Sequence, residues 1–215
     1  MMLADFLLDF DVFVEVFSLV IALAIAGFSF RSFFLTKERR YGYFGLAFLS
    51  IALGITLSAL FNTYIQFEDL HVLMRGYLHV SYLLGILWLL SVLFVLTGFM
   101  TIFIINELIT NKKNIFFLYM LVLFSVLVSH DFYFLYHLTA LMLMLFLFAH
   151  ALKNYKEKRS ASSQLVMCAF ASLFVSEALL VLTFEQYLFY IAGNVFRLIG
   201  FAFLLVTLIL IYRKK

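Results

Sequence analysis

Lysine and arginine are sorted along this chain. Thirteen of the fifteen fall into four clusters, Arg31–Arg40, Lys112–Lys113, Lys153–Arg159 and Arg213–Lys215. Successive clusters are separated by enough apolar sequence to cross a bilayer an even number of times. Cytoplasmic loops of membrane proteins collect positive charge. The pattern therefore predicts an all-α, polytopic membrane protein with seven transmembrane helices, its N-terminus outside and its C-terminus cytoplasmic.

Composition agrees with a bilayer as solvent. The chain is 66% hydrophobic and 13% charged, with mean hydropathy +1.12. Soluble domains are close to half apolar and a quarter charged. A span needs about 20 residues for about 30 Å of hydrocarbon, which places spans at 12–31, 42–62, 77–105, 114–130, 132–152, 163–184 and 187–212. The stretch 114–152 is broken only at Ser129-His130-Asp131. As one helix it would be nearly twice too long for the core at about 1.5 Å per residue. It would also put Lys153–Arg159 outside. Two spans with a tight outer turn satisfy both constraints. The spacing of apolar residues over 62–76 predicts a short interfacial helix. The acidic start, with Asp5 and Asp9, does not read as a signal peptide, and the lone Cys168 excludes an intrachain disulfide. Basic residues placed as topogenic clusters beside spans point to the lipid bilayer as partner, not to nucleic acid.

The chain reads as a single seven-helix membrane domain, 1–215, with a pseudo-repeat of 12–105 and 132–212 around a linker helix at 114–130. Thr36-Lys37-Glu38-Arg39-Arg40 aligns with Tyr155-Lys156-Glu157-Lys158-Arg159, and Leu83-Leu84-Gly85 with Leu198-Ile199-Gly200. Three helices repeated around an odd linker keep their orientation, which makes the repeat parallel. This 3+1+3 plan resembles, in topology, the seven-helix group that includes microbial rhodopsins and SWEET sugar transporters. The run Asn194–Phe201 is similar to the last helix of seven-helix input modules on prokaryotic sensor proteins. The chain departs from these patterns at two points. Its last span carries Arg197 and no lysine, which excludes retinal held as a Schiff base. It has no proline, where the transporter repeats contain it.

Charge inside hydrocarbon is costly, and is usually functional or paired. Glu177 and Arg197 sit on either side of the last outer turn at depths that let them meet, with Asn194 alongside. Gly193, Arg197 and Gly200 share a helix face. Ala169, Ser172 and Ser176, and Ser50, Gly54, Ser58 and Asn62, form small-residue stripes that read as packing seams. Glu15 reads as an interfacial carboxylate by default, with the alternative that it turns inward to accept Arg197 or a ligand cation. His79, His130 and His137 lie at similar depth, but no spacing among them matches a zinc or haem motif, and no metal or other cofactor is expected. Candidate ligand-binding residues are Glu177, Asn194, Arg197, Tyr82, His79 and His137, around a polar pocket opening outward between spans three, five, six and seven. The expected roles are Arg197 as anion or carbonyl anchor, Glu177 as its counter-charge or proton acceptor, and Asn194 and Tyr82 as orienting hydrogen-bonders.

Two functions fit. One is a receptor-like, sensory bundle in the cell membrane. It binds a small-molecule or lipid ligand and acts through a cytoplasmic or membrane protein partner. The other is a transporter or channel for small molecules or ions, built on the three-helix repeat. No nucleophile–base pair or metal cluster has the spacing of an enzyme site.

Overall fold

In the computed structural model, the backbone is described for residues 2–66, 78–107, 109, 111–129, 133–184 and 187–213. Side chains are described for 12–63, 84–107, 109, 111–129, 134–183 and 188–211. Seven α-helices follow one another among these residues: α1 (Met2–Thr36), α2 (Arg39–Gln66), α3 (Leu78–Asn106), α4 (Lys112–Ser129), α5 (Tyr133–Lys158), α6 (Ala161–Val181) and α7 (Tyr187–Arg213). A single 3₁₀ turn, Leu182–Phe184, follows α6. All seven are long and apolar enough to cross a membrane. The fold is all-α, and the chain is built as a multi-pass membrane protein.

The stretch 114–152 is two helices, as its length requires, with α4 ending at Ser129 and α5 starting at Tyr133. The turn between them lies outside the described residues, as does 67–77, where the interfacial helix is expected. Helices α1, α2 and α5 run several residues past their expected ends. The first extends to Thr36, and α5 carries Lys153–Lys158 in its final turns. The third basic cluster is therefore mostly helical, with its cations at a helix C-terminus, where the macrodipole favours them.

The bundle is apolar outside as well as inside. Phe13, Val20, Phe117, Phe124 and Leu188 are all exposed. In water such faces would aggregate, whereas in lipid they carry no penalty. Specificity comes from the interior. Within it, α1 packs on α2 and α2 on α3, while α5 packs on α6 and α6 on α7. These two three-helix units meet along two seams, α3 against α5 and α7 against α1. Helix α4 lies outside both units, hydrogen-bonded through Tyr119 to Thr101 of α3 and through Ser125 to Thr139 of α5.

The same packing device joins the second and third helices of each unit. A Cβ on Gly98 of α3 would lie 2.5 Å from Ile51 Cγ1 and 2.7 Å from Ala47 O of α2. A Cβ on Gly200 of α7 would lie 2.7 Å from Leu173 Cγ and 3.1 Å from Ala169 O of α6. The partners occupy matching runs, Ala47-Phe48-Leu49-Ser50-Ile51 and Ala169-Phe170-Ala171-Ser172-Leu173. The glycines do too, in Phe94-Val95-Leu96-Thr97-Gly98-Phe99 and Phe196-Arg197-Leu198-Ile199-Gly200-Phe201. A second contact inverts its small residues. Gly54 of α2 meets Ser91 of α3, which donates a 2.8 Å bond to Gly54 O, whereas on the other side Ser176 O of α6 faces Gly193 of α7. Small residues at such crossings let backbones approach closely.

The loops at the basic end also correspond. Helices α1 and α5 each end on a residue in the left-handed region, Lys37 at φ 59° and Arg159 at φ 46°. Each donates its N–H 2.8 Å back to a carbonyl four residues earlier, Phe33 and Tyr155. This is the αL helix stop. The equivalent residues are thus Lys37 and Arg159, three positions away from the register expected from the loop sequences. Likewise Gly98, rather than Gly85, performs the role of Gly200.

Candidate functional site

The largest cluster of buried polar side chains lies at the end of the bundle opposite the basic loops. On α6, Glu177 is 4% exposed and takes two partners. Its Oε2 is 2.8 Å from His137 Nδ1 of α5, and its Oε1 accepts a 3.2 Å bond from Arg197 Nη2 of α7. An ionised carboxylate only accepts, which places a proton on His137 Nδ1. One carboxylate thus ties together all three helices of the second unit. Two packing features fix the geometry. Gly193 and Gly200 flank Arg197 on α7 and hold that face against α6, so the guanidinium has a short reach to Glu177. Ser160, at the start of α6, accepts from Ser163 N at 3.2 Å and its own N–H donates back to Ser163 Oγ, a reciprocal cap that fixes where α6 begins.

This cluster forms one wall of a cavity of about 190 Å³. Asn194, 5% exposed, stands one turn before Arg197 and lines it too. Four of the six candidate residues, His137, Glu177, Asn194 and Arg197, are brought together here. The backbone of His79 and Tyr82 belongs to α3, but their side chains lie outside the described residues, as do those of His130 and Asp131. Among the described residues no three His, Cys, Asp or Glu side chains gather as a metal site requires.

The cavity is bounded more widely than spans three, five, six and seven. Helices α1 and α2 line it as well, through Glu15, Ser18, Ile55 and Ser58 among others. Glu15 is the main correction to the sequence reading. It does not sit as an interfacial carboxylate but turns inward, where its Oε1 accepts bonds from Ser58 Oγ at 2.9 Å and Asn62 Nδ2 at 2.7 Å. The stripe Ser50, Gly54, Ser58, Asn62 is therefore divided in role. Ser50 donates to Phe94 O at 2.7 Å and Gly54 packs on α3, while Ser58 and Asn62 orient Glu15.

The lining follows the two-unit plan. At corresponding positions of the two units stand Glu15 and His137, Ile51 and Leu173, Ile55 and Glu177, Trp88 and Tyr190, Val92 and Asn194, Val95 and Arg197, and Phe99 and Phe201, and every one of them lines the cavity. The cavity thus sits where a pseudo-twofold axis relating the units would pass. Its walls are unlike in chemistry. At three of these pairs the first unit offers Ile55, Val92 and Val95, and the second offers Glu177, Asn194 and Arg197. Trp88, the single tryptophan, could be read from the sequence as core or as a pocket wall, and it lines the cavity; sequence reasoning missed Tyr136, Tyr190 and Ser18. The repeated Phe-x-Leu-x-Gly-Phe run would have found Tyr190, because it fixes the register that makes Tyr190 correspond to Trp88.

A second cavity of about 230 Å³ lies at the basic end, also between the units. Its lining includes the corresponding pairs Ile25 and Leu147, Phe44 and Val166, Phe48 and Phe170, and Asn106 and Leu208. His150, Asn154 and Thr207 add polar groups on the second unit.

Comparison of the chain with protein-family models, with curated proteins and with solved structures gave no match.

Proposed function

We propose that this chain is a receptor-like protein of the cell membrane that binds one small ligand in the cavity distal to its basic loops. The observation that carries this reading is the buried cluster of Glu177, His137, Arg197 and Asn194 on one wall of a cavity, inside a span region where charge is costly. A purely structural ion pair does not require an adjoining cavity. Arg197 and Asn194 present donors to a carbonyl or carboxylate, while Ile55, Val92 and Val95 on the facing wall suit an apolar body. An engineered 150 Å³ apolar cavity in another protein holds benzene, so this cavity suits a ligand on the order of ten non-hydrogen atoms. The sorted basic clusters support a cytoplasmic position for the basic end, which opens the distal cavity to the outside and leaves the basic end for a protein partner. The two three-helix units, 12–105 and 132–212 with α4 as linker, we read as an internal duplication. The shared runs on α2 and α6 and on α3 and α7 support that.

Native mass spectrometry of the protein in mild detergent tests the binding reading. A co-purified small molecule or lipid in the wild type that is lost in Arg197→Leu is the expected result. No adduct in either protein, with the variant only less stable, would make the cluster structural and end the ligand reading.

A further inference from the structure

The two cavities share one axis and approach each other closely. Ile51, Leu173, Phe99 and Phe201 line the distal cavity at its deep end. Phe48, Phe170 and Leu204 line the basic-end cavity. On α2, Phe48 and Ile51 are three residues apart, and on α7 so are Phe201 and Leu204. At ~1.5 Å per residue, the two cavities are separated by roughly one helical turn. Every one of these side chains is apolar and buried, and all but Leu204 come in corresponding pairs from the two units. No hydrogen bond or ion pair crosses the layer among the described residues.

A pocket that ends within the bundle has no need of a second cavity directly beyond its floor, nor of a floor built from matched residues of two units. A route between the faces needs both. We infer that the distal cavity is one end of a transport route along the pseudo-twofold axis. The paired phenylalanines Phe99 and Phe201, with Ile51 and Leu173, form its gate. The cargo is a small organic solute with a hydrogen-bond acceptor at one end and an apolar body. A bare ion is disfavoured because the layer offers nothing to replace its hydration shell, and an apolar constriction stops ions by dewetting. The units meet along two seams, α3 against α5 and α7 against α1. Rocking one unit against the other along those seams opens the layer from either side, the motion that repeat-built transporters use around a fixed site. This inference rests on the reading of the distal cavity as a ligand site and extends it to movement across the membrane.

Sided thiol accessibility tests the route without knowledge of the cargo. In a Cys168→Ala background, Val95→Cys reports from the distal cavity and Leu204→Cys from the basic-end cavity. The probe is the membrane-impermeant 2-(trimethylammonium)ethyl methanethiosulfonate, added to right-side-out and to inverted vesicles. A route predicts that Val95→Cys reacts from both sides, and that Phe99→Ala with Phe201→Ala speeds reaction from the far side at least tenfold. Val92→Cys serves the same purpose if Val95→Cys fails to accumulate. Reaction of each cysteine from its own side only, unchanged by the double alanine, would overturn the route. That outcome leaves the mass-spectrometric adduct untouched, so failure of the route and failure of the ligand reading are told apart.

Discussion

Glu177 is placed so that removing it and removing its partner differ in consequence. Its carboxylate is buried, and it holds both His137 and Arg197. Truncating one member of a buried pair leaves an uncompensated charge, whereas replacing both members with apolar groups removes the desolvation cost as well. Glu177→Leu is therefore expected to destabilise the protein by about 3 to 5 kcal/mol, and adding Arg197→Leu should restore part of that loss. Thermal unfolding of the two singles and the double in one detergent checks this as a cycle. Strictly additive losses would show that the pair is not coupled. Glu15 accepts from two neutral donors, Ser58 and Asn62. Glu15→Gln keeps a carbonyl acceptor for Ser58 and Asn62 and is expected to change stability by less than about 1 kcal/mol. A stability loss as large as that of Glu177→Leu would mean that the Glu15 charge is itself a structural partner.

At the level of helices, the glycines separate packing from propensity. Gly98 and Gly200 each hold their helix against a neighbouring backbone carbonyl, so added volume forces the pair apart. Gly98→Val and Gly200→Val are each expected to cost about 1 to 3 kcal/mol. Gly27 of α1 has open space around it, and Gly27→Ala is expected to be neutral or to stabilise by up to about 1 kcal/mol. Melting curves of the three variants decide the matter, and equal losses at all three positions would refute the seam. Helix existence and number were legible in the sequence because hydropathy and charge sorting act on whole segments. The Glu177–Arg197 pair was legible because two spans joined by a short turn leave little freedom in relative depth. The inward turn of Glu15 was open only as an alternative, and its partners were not legible. It depends on Ser58 and Asn62, more than forty residues away, and on α1 lying against α2. A repeat of three helices was an expectation from the sequence, and the matching positions of the two units follow a register that the loops do not give. Basic loop residues are chosen for charge, which many sequences satisfy. The residues that set the register are the glycines and their partners in the spans, where only certain sizes fit.

For the whole molecule, the remaining question is which face of the membrane the distal cavity meets. With seven helices, the start of α1 lies on the same side as the α2–α3, α4–α5 and α6–α7 connections. The other side receives Lys37–Arg40, Lys112–Lys113, Lys153–Arg159 and the end of α7. A reversed insertion would carry every one of those clusters across the bilayer, against the bias that orients membrane proteins. The orientation is tested with cysteines at two of the three basic-end connections, at the exposed positions Asn111→Cys and Ser160→Cys, in the Cys168→Ala background. In intact cells both are expected to resist an impermeant maleimide and to react only after permeabilisation. The two positions lie in different connections, so agreement between them also tests the even number of spans that separates them. Disagreement would break the seven-span topology itself. Reaction of both in intact cells would reverse the protein, turn the Glu177–Arg197 cavity towards the cytoplasm and make its ligand an intracellular one. The chemistry of the cavity would be unchanged by that result, because donors and apolar walls are set by the packing of the two units and not by the direction in which they were inserted.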